Sequence, residues 1–128
     1  MKKVLIVDDQ IAAARLLVTL LQIDGYEARP AFDWGNLIGE VQAYQPDLVI
    51  LDVHLPDADG FELLHQVRTH PDAQIATVPV LVVSALDYGY RLEASGADGF
   101  LLKPFKYENM VEAIKKIEKS RAVPGPEA

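Results

Sequence analysis

The chain contains no cysteine, which excludes disulfide cross-links and thiolate chemistry together. It also lacks a long apolar run: no stretch approaches the roughly 18 residues a membrane-spanning helix requires. Two lysines precede the first apolar run, as in a secretion signal, but that run stops at Asp8, too early for such a segment. The expected location is the cytoplasm, with no membrane contact. Basic residues are outnumbered, 12 Lys and Arg against 19 Asp and Glu, for a formal charge of −7. A surface of that sign repels nucleic acid, whose affinity depends on neutralised phosphates. The cluster Lys115, Lys116, Lys119 and Arg121 is interleaved with Glu112 and Glu118 and reads as a solvated helix face. No direct nucleic-acid binding is expected.

The 128 residues suffice for one domain with a core of its own. Apolar runs alternate with stretches of helical period, the pattern of βα units around a parallel sheet. Val4–Val7, Leu48–Leu51 and Val80–Val83 are continuous apolar strands, as expected when helices cover both faces. Tyr26–Ala31 is a weaker strand, and Pro30 within it cannot donate to a ladder, which predicts an edge. Phe100–Leu102 is the fifth strand.

Helices are predicted on the spacing of Ile11, Leu16, Leu17, Leu20 and Leu21, closed by Gly25, and of Trp34, Leu37, Ile38 and Val41, closed before Pro46. A third runs from an Asp59 cap through Phe61, Leu64 and Val67, a short fourth lies near Tyr88–Ala94, and a fifth carries Val111, Ile114 and Ile117. The fold class is therefore α/β, a flavodoxin-like doubly wound sheet of five parallel strands in the order 2-1-3-4-5, with helices on both faces. Residues 1–120 form the domain. The Pro/Gly-rich segment 121–128 reads as a flexible tail or the start of a linker.

Polar residues stand where the strands end: Asp8 and Asp9 after VLIV, Asp52 after LVIL, Ser84 after VLVV and Lys103 after FLL. Singly, each has a plain structural reading, Asp9 as a helix cap and Asp52 as a loop residue. A parallel sheet, however, delivers all of these ends to one rim. Two carboxylates about 4 Å apart repel by roughly 4 kcal/mol at an effective dielectric near 20. Three such groups call for a proton or a cation, and hard oxygen ligands in an open site suit Mg²⁺. Lys103 adds a positive charge and Ser84 a neutral donor for a phosphoryl group. Asp52, at the end of the central strand, is the candidate nucleophile for an aspartyl phosphate.

The pieces VLIVDD, PDLVILDVHLPDADG, VPVLVVSA and GADGFLLKPF, in this order over residues 3–118, resemble the receiver domain of response regulators of two-component signalling. The resemblance implies that Asp8, Asp9, Asp52 and the backbone carbonyl of His54 hold Mg²⁺. It implies that Asp52 accepts a phosphoryl group from a phosphohistidine on a histidine kinase or histidine phosphotransfer protein. Ser84 and Lys103 would bind the phosphoryl oxygens, and Lys103–Pro104 would be a cis peptide that aims the lysine. Ser84 and Phe100 would act as the switch, biasing a surface that an effector domain or output protein reads. Simple core packing is the alternative for Phe100.

Some features depart from that family. The stretch from Ser84 to Gly96 is nearly a helical turn shorter than usual and contains Gly89, which predicts a shortened fourth helix. Tyr88 and Tyr90 read as packing residues there, with an exposed partner patch as the alternative. Leu86 falls near the phosphoryl position and cannot orient a water, which predicts a long-lived aspartyl phosphate. The His54 ring could face the phosphate or solvent; His65 and His70 read as surface residues, and Trp34 as packing at a helix start. Two other functions fit less of the pattern: a receiver-like binding module independent of phosphorylation, and an aspartyl-phosphate phosphatase, which lacks an acid two residues after Asp52. As a signalling module the chain is not expected to be an enzyme beyond catalysing its own phosphorylation and dephosphorylation.

Overall fold

A computed structural model describes residues 1–121. The proposed linker beyond Arg121 and the Tyr90 side chain lie outside the described residues. In chain order the elements are β1 (Lys3–Val7), α1 (Ile11–Ile23), β2 (Glu27–Pro30), α2 (Leu37–Tyr44), β3 (Leu48–Asp52) and α3 (Gly60–Arg68). β4 (Val80–Ser84), α4 (Tyr90–Ser95), β5 (Gly99–Leu102) and α5 (Tyr107–Ser120) complete them. Three minor pieces escape the sequence periodicity: a 3₁₀ turn at Trp34–Asn36, a ribbon pairing His54–Leu55 with Ala58–Asp59, and one helical turn at Ala73–Ala76. Each is too short to display a period.

The sheet is parallel throughout, in the order β2-β1-β3-β4-β5. β2 is an edge, as Pro30 requires. Strand alternation divides the core. Leu5, Val7, Val49 and Leu51 pack with Leu37, Val41, Leu64 and Val67 of α2 and α3. Val4, Ile6, Leu48 and Ile50 face the other way, onto Ala14 and Leu21 of α1 and Met110, Ile114 and Ile117 of α5. Each of these side chains except the smaller Ala14 contributes about 1.5–3 kcal/mol on burial. The strand order reverses between β1 and β3, so the crevice between their carboxyl ends is the switch point.

α1 ends in a Schellman motif. Tyr26 N–H donates to Leu21 O (3.0 Å), Gly25 N–H donates to Gln22 O (3.1 Å), and Gly25 takes φ 94°. The inward stripe of α1 differs from the expected one. It is Ala14, Leu17, Val18 and Leu21, while Ile11 and Leu16 are exposed. Ala14 and Leu21 are the buried residues of α1 and mark the face that meets the sheet.

The last helix carries a second correction. Lys115, Lys116 and Lys119 are exposed as expected, but Glu118 is buried against the Met1 ammonium at 3.2 Å. Arg121 does not join a solvated face: its Nη2 lies 2.6 Å from Asp98 Oδ1, and its Nη1 donates to Thr77 O. Arg68 reaches the other Asp98 oxygen at 3.0 Å, and Val80 N–H donates to the same carboxylate. This clamp ties the N-terminal ends of β4 and β5 to α3 and α5. Burial lowers the pKa of Arg68 below the ordinary arginine value, with Arg121 adding to it against the pull of Asp98. His65 is exposed as expected, whereas His70 is half-buried and its Nδ1 accepts Asp72 N–H (3.0 Å). Trp34 packs partly into the core at its helical turn, as expected.

Candidate functional site

Register places the acids. Val7 pairs with Leu51, so Asp8 emerges opposite Asp52 as both strands end. Carboxylate oxygens of Asp8, Asp9 and Asp52 all lie within 4.8 Å of one another. Asp52 is buried and the other two are half-buried. Asp9 is not the cap of α1: Gln10 holds that position, and its N–H donates to Asp8 Oδ1 (2.9 Å). Both aspartates thus belong to the strand end and the turn. A compact set of hard oxygen donors fits a small divalent cation such as Mg²⁺.

Lys103 closes the site from two strands away. Leu102 pairs with Ser84, and Lys103 N–H donates to Ser84 O (2.8 Å). Neighbouring strands stand about 4.8 Å apart, so a group from β5 must cross the whole end of β4 to reach β3. The lysine side chain is long enough. Its Nζ donates to Asp52 Oδ2 at 2.8 Å and stands 3.5 Å from Asp8 Oδ2. Partial burial disfavours the ammonium, but the hydrogen bond to Asp52 and the charges of Asp8 and Asp52 outweigh this and raise the Lys103 pKa. The Lys103–Pro104 peptide is cis, as the resemblance implied.

The other Asp52 oxygen, Oδ1, accepts the backbone N–H of His54 at 2.8 Å. Just beyond, α3 begins at Gly60, where a Cβ would strike Val53 Cα and come within 2.9 Å of Asp52 O. Only glycine permits this approach. Asp59 caps α3 as expected, its side chain accepting Phe61 N–H (2.9 Å).

Ser84 ends β4 beside Asp52, fully buried, and its hydroxyl accepts Leu86 N–H (3.0 Å). Leu86 is exposed. Phe100 is half-buried against the core under α2 and α3. α4 has six residues, the predicted shortening. Tyr88 does pack, standing edge-on to Phe61 with centroids 4.9 Å apart. Its hydroxyl also meets His54 Nε2 at 2.8 Å, so the exposed His54 ring has a protein partner. Sequence reasoning did not foresee that contact or the role of Gly60. The glycine's signal was its place directly after the capping Asp59.

Beside the acids lies a cleft of about 570 Å³ between α1 and the start of α5. Leu16, Leu17, Leu20, Phe105 and Tyr107 line it, with Asp8 and Lys103 at one end. Among the described residues no helix is long and apolar enough to cross a membrane.

A doubly wound sheet that gathers three carboxylates and a lysine at its switch point is an α/β domain whose acids could hold a divalent cation. Comparison with known proteins narrows this: residues 4–115 match the response regulator receiver domain, and the chain belongs to that family. It is a signalling module, the phosphoaccepting receiver domain of a response regulator. It is 38% identical over 119 residues to the regulatory protein VanRc of Enterococcus gallinarum, covering 89% of this chain and 48% of that protein. It is 33% identical to the alkaline phosphatase synthesis transcriptional regulatory protein PhoP of Bacillus subtilis, covering 98% and 52%. The chain thus spans about half the length of these curated relatives. Chemotaxis protein CheY4 of Vibrio cholerae superposes with a TM-score of 0.81 at 32% identity, covering 91% of this chain and 98% of that one. Response regulator TrrA of Thermotoga maritima, solved in complex with Mg(2+)-BeF, gives 0.78 at 29% identity, covering 91% and 99%.

Proposed function

We propose that Asp52 is the phosphoacceptor and that a phosphohistidine on a histidine kinase or histidine phosphotransfer protein is the donor. The observation that carries this reading is the buried Asp52 carboxylate, held at one oxygen by Lys103 and at the other by His54 N–H. A carboxylate fixed at both ends is positioned for in-line attack. Its oxygen forms the P–O bond as the P–N bond breaks, and the leaving imidazole keeps the electron pair and takes up a proton. Lys103, already charged, turns from the carboxylate to the transferred oxygens. Ser84 offers them a hydroxyl proton, since its oxygen only accepts from Leu86 N–H.

Asp8, Asp9, Asp52 and the His54 carbonyl would hold Mg²⁺, which when bound neutralises charge on the phosphoryl oxygens. The apolar cleft opening on Asp8 and Lys103, with exposed Leu16 on its wall, supports a protein donor that docks beside the acids. Ser84 and Phe100 would report the modification to an effector domain or output protein. Residues 1–120 would form the receiver and 121–128 a flexible tail or the start of a linker, all in the cytoplasm. Slow hydrolysis of the aspartyl phosphate would reset the module.

Incubation with Mg²⁺ and acetyl phosphate, followed by intact-mass analysis, tests the reading. One acid-stable, base-labile adduct, absent in Asp52→Asn, supports it. Consumption of many equivalents would point to a phosphatase, and no adduct to a binding module independent of phosphorylation.

A further inference from the structure

A continuous set of side chains links Asp52 to α4. His54 N–H donates to Asp52 Oδ1 (2.8 Å), and the imidazole of the same residue shares a 2.8 Å hydrogen bond with the Tyr88 hydroxyl. The Tyr88 ring meets Phe61 edge-on at 79°. Arg91, in the first turn of α4, lays its guanidinium over Phe61 at 4.2 Å and over Tyr88 at 5.5 Å. It also pairs with Asp59, the cap of α3, at 3.7 Å. These groups wall a cleft of about 510 Å³ that Asp9 also borders, so the contact lies next to the acids.

α4 depends on such contacts. A helix of six residues has few backbone bonds with which to offset nucleation. Its cap, Gly89, supplies no side-chain hydrogen bond. Its far end is held by Arg68, whose Nε donates to Gly96 O (2.9 Å). Its near end is held through Tyr88 and Arg91. Esterification of Asp52 would take the negative charge off the carboxylate, weakening the charge-assisted bond from His54 N–H. The backbone and ring of His54 move together, so a shift at the phosphoacceptor would reach Tyr88 directly.

Building on the phosphoacceptor reading, we propose that Tyr88 is a positioning residue that couples the state of Asp52 to α4 through the His54 side chain. This route is separate from Ser84 and Phe100. It lies on the α3 side of α4, where Tyr88 and Arg91 both pack on Phe61.

Hydrogen exchange over residues 90–95 tests it, in the wild type, Tyr88→Phe, His54→Gln and the double variant, each with and without Mg²⁺ and acetyl phosphate. Phenylalanine keeps the ring on Phe61 and removes only the hydroxyl. In the unmodified protein each single variant is expected to speed α4 exchange by roughly 3- to 10-fold, and the double variant no further. The change in α4 exchange that follows modification of the wild type is expected to disappear in Tyr88→Phe. Unchanged exchange in Tyr88→Phe would overturn the proposal. So would a full response to modification in that variant, which would leave Tyr88 a packing residue only. Intact mass reads the adduct separately. An unlabelled wild type counts against the phosphoacceptor, whereas a labelled protein with an unresponsive α4 counts against the coupling alone.

Discussion

Lys103 reaches across β4 to set its ammonium 2.8 Å from Asp52 Oδ2, so the proposed phosphoacceptor already has a counterion supplied by the chain itself. The same ammonium stands 3.5 Å from Asp8 Oδ2. It therefore offsets the repulsion that three gathered carboxylates would otherwise impose. Any cation entering the acids must share them with Lys103.

Replacing the ammonium by an apolar chain of similar length should expose this competition. Lys103→Met is expected to bind Mg²⁺ several-fold more tightly by titration calorimetry, because a competing charge has gone. Without Mg²⁺ it should lose about 1–2 kcal/mol of stability, and acetyl phosphate should label it at least about tenfold more slowly. Unchanged Mg²⁺ affinity would show that lysine and cation do not compete.

Gly60 tests the close approach of α3 to the backbone of Asp52 and Val53. Alanine there must displace the backbone of Val53 and Asp52. Urea unfolding should register a loss of about 1–3 kcal/mol, and labelling of Asp52 should slow in parallel. A Gly60→Ala protein with both properties intact would show that the loop yields without cost.

The Asp98 clamp sits at the opposite rim and should affect stability alone. Asp98→Ala leaves Arg68 and Arg121 without their shared carboxylate and Val80 N–H without its acceptor. A cost of about 2–4 kcal/mol is expected in denaturant unfolding. Labelling under native conditions should keep its rate. A slowed rate in the folded variant would show that the clamp reaches the site.

Leu86 is exposed beside Ser84 and offers no polar group to an attacking water. Leu86→Glu should shorten the lifetime of the aspartyl phosphate, followed as decay of the adduct after removal of acetyl phosphate. Equal decay in both proteins would remove Leu86 from any role in hydrolysis.

Tyr44 predicts an alkaline effect. Burial and the nearby Glu27 push its phenol up to about 12 from an ordinary value of 10.0. The folded state therefore holds this proton more tightly than the unfolded chain does. The resulting stability is fully present below pH 10 and is lost as pH rises toward 12. Tyr44→Phe should decline less steeply across that window in urea titrations. Parallel curves for the two proteins would exclude Tyr44 as a source of the decline.

Much of the fold was legible because its signals are local. The runs at Val4–Val7, Leu48–Leu51 and Val80–Val83 became adjacent strands, and Pro30 marked the edge. The acids were legible for the same reason: a polar residue ending an apolar run must lie at the rim. Helix rotation was less legible. Ile11 and Leu16 matched the apolar spacing of α1, yet they are exposed, because the face turned to the sheet is the one carrying Ala14 and Leu21.

The amino-acid order alone determined which segments form the strands of the main sheet and that Asp8, Asp9, Asp52, Ser84 and Lys103 stand at their ends, since period and interruption are properties of neighbouring residues. Tertiary structure decided the partners of the long and the ambiguous side chains. Lys103 settles on Asp52, the His54 ring on Tyr88, Arg121 on Asp98 and Glu118 on the Met1 ammonium. Those contacts depend on strand order and register across the whole sheet, which bring together groups far apart in the chain and leave no local trace in either segment.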